Sequence, residues 1–345
     1  MQDRMGRYIG VDLHKRSFAV CYRSKAGEIE EKEYSMTEAG IEEFKKRIKK
    51  TDEVGVEATR NTGYFIGEIE NSVGSIKVIN PTQFKIIANS VKKTDKISAK
   101  TIAKYLSKGL IPEVRMRSKE QMETLGLIGT RDKLVKLRTS LKNKIHNILN
   151  ANGIITKKEM FSSDKGLDKI LEIDLDEGYL FELRLIVEQL HHLNETIKTI
   201  DKELAKRGKK MKGFKNITSM TGISNTSGTI LLSVIGEKND FERDKKLSAF
   251  LWLVPMVYAS GDTVRYGMIT KMGNKIGRTT VVQSTLVAIK YNEYLRNFYL
   301  RLKAKKGSGK AIIATARKYL TIIYKTLRYN LVFEDINHFK LAESS

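Results

Sequence analysis

The sequence predicts a two-domain chain: an α/β domain at the amino terminus, a helical connector, and a mainly α-helical domain at the carboxy terminus. Three observations carry this expectation. Through the first third, runs rich in Tyr, Val, Ile and Phe alternate with helical patterns. Between Leu183 and Leu204, apolar residues recur at spacings of three and four without a miss. Beyond Gly208, short apolar helices and a glycine-bearing segment replace that repeat. The 345 residues also exceed what a single core ordinarily serves. Expected boundaries are 1–152 for the first domain with its long basic helix, 153–210 for the connector, and 211–345 for the last domain.

Each element has a local reason. Residues 6–23 and 28–36 flank the polar turn Ser24-Lys25-Ala26-Gly27 and read as a hairpin. Thr37 caps a helix running to about Lys50, with Glu42 and Glu43 in its early turns. A strand ending at Glu57 follows, then a helix near 62–72 and the strand Ser75–Ile79. Pro81 opens a short helix, and another begins around Asp95. A hairpin followed by β-α units describes a mixed sheet covered by helices, the order found in ribonuclease-H-like sheets. Residues 119–151 form a long basic helix with Arg131, Lys136, Arg138 and Lys142 among its cations. The 3-4 repeat of Leu183, Ile186, Leu190, Leu193, Ile197, Ile200 and Leu204 reads as a coiled-coil seam joining a second copy, so a dimer or tetramer is expected. Residues 213–236 read as two short helices around a Gly-Ile-Ser turn, a helix-hairpin-helix pattern that can offer backbone N–H groups to a phosphate, or equally a plain hairpin in the core.

Composition narrows the function. There are 63 Lys and Arg against 40 Asp and Glu, a net charge of +23, and such an excess favours binding to a polyanion. Ten basic residues and no acid lie between Glu293 and Glu334, among them Arg301, Lys305, Lys306, Arg317 and Lys318, interleaved with tyrosines and Phe298. The single cysteine, Cys21, excludes an intrachain disulfide and points to a reducing compartment. No run approaches a membrane span, and the first residues carry no apolar signal segment. A cytoplasmic, nucleoid-associated location is expected.

Three regions can carry chemistry. Asp12 closes the apolar strand Tyr8-Ile9-Gly10-Val11-Asp12, Glu57 closes Val54-Gly55-Val56-Glu57, and Asp95 sits in Lys93-Thr94-Asp95-Lys96. Carboxylates delivered by neighbouring strand ends suit a hard divalent ion held against a phosphodiester. Plain structural roles for the same residues are a turn acid, a solvated strand end and a helix cap. The segment from Pro255 through Ser260-Gly261 to Lys275 reads as a flexible basic loop, with Arg265, Lys271 and Lys275 able to approach phosphates. Ser260 is sterically open beside Gly261 and could attack phosphorus, although a Ser-Gly pair is ordinarily a turn.

Taken together these regions resemble the DEDD-type insertion-sequence transposases, the family that includes the Piv DNA invertases and the bridge-RNA-guided recombinases. The amino-terminal likeness lies at Tyr8–Asp12, at Val56-Glu57-Ala58-Thr59 and at Lys93-Thr94-Asp95-Lys96-Ile97-Ser98-Ala99. The carboxy-terminal likeness lies at Met220-Thr221-Gly222-Ile223, Ala249-Phe250-Leu251-Trp252-Leu253-Val254-Pro255, Ser260-Gly261 and Ile269-Thr270-Lys271-Met272-Gly273-Asn274. The resemblance implies a RuvC-like first domain, Mg²⁺ or Mn²⁺ at Asp12, Glu57 and Asp95, and a nucleophilic serine at Ser260. It implies that the two halves of one site can come from different protomers. It further implies DNA as substrate and, in some members, a structured guide RNA that supplies sequence choice. The family's fourth acid falls on Ser98, a neutral and weaker ligand. Alternatives are a RuvC-like junction nuclease using activated water, and a nucleic-acid-binding derivative whose chemistry is impaired at Ser98.

Overall fold

The computed structural model describes residues 6–81, 83–84, 95–114, 116–236, 241–260, 263–269, 274–335 and 340–343; at 95–97, 158, 257–260, 263–266, 268, 334–335 and 340–343 the description is of the backbone. The chain divides into two compact units, Met1–Lys119 and Glu120–Ser345.

In the first unit, strands β1 (Tyr8–Leu13), β2 (Ser17–Arg23), β3 (Ile29–Ser35), β4 (Glu53–Glu57) and β5 (Ser75–Ile79) form one sheet in the order β3-β2-β1-β4-β5. The first three strands run antiparallel, while β1, β4 and β5 are parallel. This is the mixed, ribonuclease-H-like sheet the sequence predicts. The expected single hairpin is in fact three strands. The turn missed in 6–23 is His14-Lys15-Arg16, closed by a bond from His14 N to Ser17 O. Three polar residues inside an apolar run are the signal that marks it.

Period-2 alternation divides the sheet's two faces. Ile9, Val11, Leu13, Phe18, Val20, Val54 and Val56 share one core with Ile41 and Phe44 of α1 (Glu38–Lys45) and Phe65 and Ile69 of α2 (Thr62–Ile69). Thr37 caps α1 as expected, its hydroxyl accepting from Gly40 N, though the helix stops at Lys45 rather than near Lys50. The opposite face carries Gly10, Ala19, Cys21 and Gly55 and is covered by α3 (Asp95–Ser107). These small residues let the helix lie close: a Cβ on Gly10 would stand 2.1 Å from Ala99 O, and one on Gly55 would stand 2.9 Å from Ile102 Cγ2. β3 is an edge strand carrying Glu30, Glu31, Lys32 and Glu33, charges that discourage further pairing.

The second unit opens with α4 (Lys119–Ala151), followed by α5 (Asp164–Asp168) and α6 (Glu177–Lys209). α4 and α6 run antiparallel, tied by bidentate Arg131–Asp201 bonds and by Arg138 Nη1 donating to Asn194 Oδ1 at 3.2 Å. Ile145, Ile148 and Leu149 of α4 share a core with Leu183, Ile186 and Leu190, while Ile128 joins Ile200 and Leu204 in the largest core. All seven residues of the 3-4 repeat are thus buried within one chain, at 9% exposure or less. The expectation that this stripe joins a second copy is corrected. A 3-4 repeat specifies a helical partner, and here α4 and the carboxy-terminal core supply it within the chain.

Gly208 lies where α6 meets the rest of the unit, with its Cβ position 2.0 Å from Thr229 Oγ1. Helices α7 (Phe214–Thr218) and α8 (Asn225–Ile235) flank the Gly222 turn. α8 is buried without a break from Gly228 to Ile235, so this hairpin is part of the core, with its cap Ser224 and first residue Asn225 exposed. α9 (Asp244–Phe250) leads into β6 (Pro255–Ser260) and β7 (Thr263–Ile269), then α10 (Lys275–Tyr291) and α11 (Glu293–Arg328), which breaks at Gly307 with φ 76°. A short ribbon, β8 (Leu331–Asp335) with β9 (Lys340–Glu343), follows. None of the described helices is long and apolar enough to cross a membrane.

Candidate catalytic site

Asp12 and Glu57 stand on adjacent parallel strands. The strand register pairs Val11 with Val56, and both acids come one position later. Asp12 lies two residues beyond Gly10, and Glu57 two beyond Gly55. By strand alternation both therefore belong to the face that α3 covers. Asp12 is only 8% exposed, and Glu57 is half-buried. Neighbouring strands lie about 4.8 Å apart, so two carboxylates at matching ends share one small space.

The loop after β4 fixes this edge. Thr62 Oγ1 donates to Glu57 O at 2.8 Å and accepts from Thr59 N at 2.8 Å, while Asn61 Nδ2 donates to His14 O at 3.2 Å. The exits of β1 and β4 are thereby tied together. His14 is a residue that sequence reading missed: its Nε2 is 3.6 Å from Asp12 Oδ2. A histidine two positions past a strand-ending acid was the available signal.

Asp95 is the first residue of α3, one turn before the Ala99 carbonyl that approaches Gly10. Its side chain lies outside the described residues. Ser98 follows on the next turn and is half-buried. Among the described residues no three His, Cys, Asp or Glu side chains form a metal-holding group; the described donors at this edge are the Asp12 and Glu57 carboxylates and the His14 imidazole. An oxygen-rich pair of this kind fits a hard divalent ion.

Of the segment expected as a flexible loop, Pro255–Ser260 and Thr263–Ile269 are instead the two strands of an antiparallel ribbon, a correction, while 261–262 and 270–273 lie outside the described residues. Ser260 closes β6 opposite Thr263, and Arg265 in β7 pairs with Tyr258. Alternating β-branched and aromatic residues on both sides of Gly261-Asp262 are hairpin chemistry that the glycines obscured. The side chains of Ser260 and Arg265, and all of Lys271, lie outside the described residues. Lys275 is exposed at the start of α10, whose cap Asn274 accepts from Gly277 N at 2.9 Å.

The basic residues expected on nucleic acid divide into two sets. On α4, Arg131 is held by Asp201, Arg138 by Asn194 and Lys142 by the Phe161 carbonyl, while the exposed Lys136 pairs with Asp132 one turn earlier. Burial, reinforced by the charge of Arg131, holds the Arg138 guanidinium below its ordinary pKa. Burial and then Arg138 do the same to the Lys142 ammonium. On α11, Arg301, Lys305 and Lys306 are exposed, Arg317 and Lys318 half-buried. Arg301 lies over the Phe298 ring at 5.5 Å and Lys318 over Tyr294 at 5.7 Å.

Comparison with known proteins matches both units. Residues 9–152 match the DEDD transposase family profile of IS110 type, and residues 214–300 match the transposase family IS116/IS110/IS902. The transposase for insertion sequence element IS1111A of Coxiella burnetii is 24% identical over 339 residues, covering 93% of this chain and 89% of that protein. The transposase for insertion sequence element IS1328 of Yersinia enterocolitica is 25% identical over 288 residues, covering 83% of this chain and 85% of that protein. The pilin gene-inverting protein of Moraxella bovis is 24% identical over 277 residues, 76% of each chain. A strand-end acid pair on a ribonuclease-H-like sheet, followed by a helical unit matching the second profile, leads to one conclusion: this chain belongs to the IS110/IS116/IS902 family of DEDD transposases.

Proposed function

We propose that the protein cuts and rejoins DNA strands as a recombinase, using Asp12, Glu57 and Asp95 to hold Mg²⁺ or Mn²⁺ and Ser260 as nucleophile. The observation that carries this reading is the placement of Asp12 and Glu57 at matching strand ends on the face covered by α3, the helix that starts at Asp95 and carries Ser98. A divalent ion bound by these acids would stabilise the negative charge that builds on a reacting phosphodiester. The chain's own groups do the rest. The Thr62 and Asn61 bonds keep both strand exits in register, and buried Asp12 stays fixed by the sheet. Ser260 Oγ would form a bond to phosphorus as one strand oxygen departs, and reversal onto a different strand end would reseal the backbone. A phosphoserine link conserves the ester bond, which suits rejoining better than hydrolysis.

The net charge of +23 supports DNA as substrate and leaves room for a structured guide RNA as a second polyanion. The assembly is read as a dimer or tetramer, with contacts outside the stripe of Leu183–Leu204, which is filled within the chain. Phe181 and Leu185, exposed at 60% and 50% on the same helix, are available for such contacts.

The test is Ser260→Ala. With a labelled DNA substrate and Mg²⁺, wild type should give a covalent protein–DNA adduct that survives denaturing electrophoresis. The variant should give none while binding DNA with unchanged affinity. Adducts from the variant would refute the serine mechanism, and cleavage without any adduct in wild type would favour a junction nuclease.

A further inference from the structure

Away from the strand-end acids, the second unit contains a cleft whose described walls carry more positive than negative charge. It is open, with a volume of about 490 Å³, and lies where α4, α6 and the start of α8 meet. Arg138 stands on one wall, Lys198 and Lys202 on another, and Ser224 and Asn225 on a third. Lys198 and Lys202 are four residues apart on α6 and both exposed, so they project from one face. The lining includes one acid, Asp201, and Arg131 already holds both of its oxygens at 2.5 and 3.1 Å. Arg138 bonds only a neutral amide within the cleft, Asn194. Lys198 contacts Glu195 at 3.3 Å, an exposed pair that solvent screens heavily. The described walls of the cleft thus carry three cations, Arg138, Lys198 and Lys202, against the single carboxylate of Asp201.

A polyanion crossing this cleft meets a net positive wall and releases counterions as it binds. In the leading turn of α8 Ser224 and Ser227 cap each other's N–H groups, so the turn adds the peptide N–H groups of Asn225 and Thr226 and a helix dipole of the same sign at the third wall. The Asn225 side-chain amide supplies a neutral donor of the kind phosphate contacts commonly use, while the Ser224 hydroxyl is engaged with Ser227 in the helix cap. The cleft is open rather than enclosed, which suits a polymer passing through it better than a small molecule sealed inside.

We propose that this cleft grips the phosphodiester backbone of a nucleic acid through Arg138, Lys198, Lys202 and the amino-terminal turn of α8. The proposal rests on the reading of the protein as a nucleic-acid recombinase and gives it an anchor separate from the candidate catalytic residues. Duplex DNA and structured RNA share this chemistry, and the experiment separates them.

Lys198→Gln/Lys202→Gln is compared with Lys165→Gln/Lys169→Gln, an equal loss of exposed charge on the same unit. Binding of the full-length protein to labelled duplex DNA and to a labelled hairpin RNA is measured across a salt series. The cleft variant should weaken binding of one of the two by about tenfold near 0.15 M salt and reduce the log–log salt slope by about two. The control variant should change the affinity by less than about twofold, as diffuse charge does. Loss for DNA alone or for RNA alone identifies the occupant. Equal losses in the two variants, or none in the cleft variant, would overturn the cleft. Wild type binding neither nucleic acid would overturn both the cleft and the recombinase reading.

Discussion

Replacing Gly10 by alanine tests how the acid-bearing elements are brought together. The new Cβ would stand 2.1 Å from Ala99 O and 2.5 Å from Ala103 N, both backbone atoms of α3. Ordinary contact begins near 3.4 Å, so the helix must move by about 1.3 Å or the strand must buckle. Overpacking of this kind costs about 1–3 kcal/mol, and more when no flexible side chain can yield. Restricting the unfolded chain returns roughly 0.4–1 kcal/mol. A net loss of about 2 kcal/mol follows. Gly55→Ala is the internal control, because its Cβ meets Ile102 Cγ2 at 2.9 Å and Leu106 Cδ2 at 3.3 Å, side-chain atoms that can turn aside. Its two effects nearly cancel, within about 1 kcal/mol.

The readout must come from the first unit, whereas Trp252, the only tryptophan, belongs to the second. Cys21 serves instead: it is the only cysteine, fully buried, and packed with Ala19 against Ala99 and Ala103. Burial pushes its thiol up to about 11, so the native protein resists thiol reagents at pH 8 and labelling follows opening of the unit. Pulse labelling across urea should place the Gly10→Ala midpoint about 1 M below wild type, at an ordinary urea slope. Gly55→Ala should stay within about 0.5 M. Mg²⁺-dependent strand cleavage should fall by about 100-fold in Gly10→Ala even where folded, since α3 carries Asp95 and Ser98 and a displacement near 1 Å misaligns a site. Equal midpoints for the two variants, or a larger loss from Gly55→Ala, would refute the close seating of α3 on Gly10.

Three other outcomes are expected. Leu190→Ala removes a fully buried residue of the intrachain core and should cost about 2–5 kcal/mol, with an unfolding midpoint independent of protein concentration; a midpoint that rises with concentration would return the stripe to an interchain role. Asp52→Ala strands Arg7 N at 2.9 Å, Lys49 N at 2.9 Å and the Arg7 guanidinium at 2.7 Å, so Cys21 labelling should report a loss of about 3 kcal/mol, partly restored in Asp52→Asn. Ser98→Asp places a carboxylate one turn beyond Asp95 and should raise Mg²⁺-dependent adduct formation; unchanged activity would mean that three acids suffice.

The amino-acid sequence determined the local elements because each was marked by its own chemistry. Thr37 announced α1, the β-branched run Ser75–Ile79 matched β5 to the residue, and the 119–151 helix was read at its full length. It also placed Glu57 at the end of its strand, and Asp12 falls one residue short of the end of β1, which runs on to Leu13. Turns written in polar or glycine residues were harder: His14–Arg16 hid a strand boundary, and the glycine-rich composition of the segment disguised the paired strands Pro255–Ser260 and Thr263–Ile269 as a loop. Only the tertiary structure decided which partner a face receives. The stripe from Leu183 to Leu204 reads identically whether the facing helix belongs to the same chain or to another, because periodicity encodes a face and not an address. Likewise Gly10 and Gly55 are unremarked small residues in sequence. Their purpose emerges when α3 lies across them and sets the first two acids beneath the helix that begins with the third.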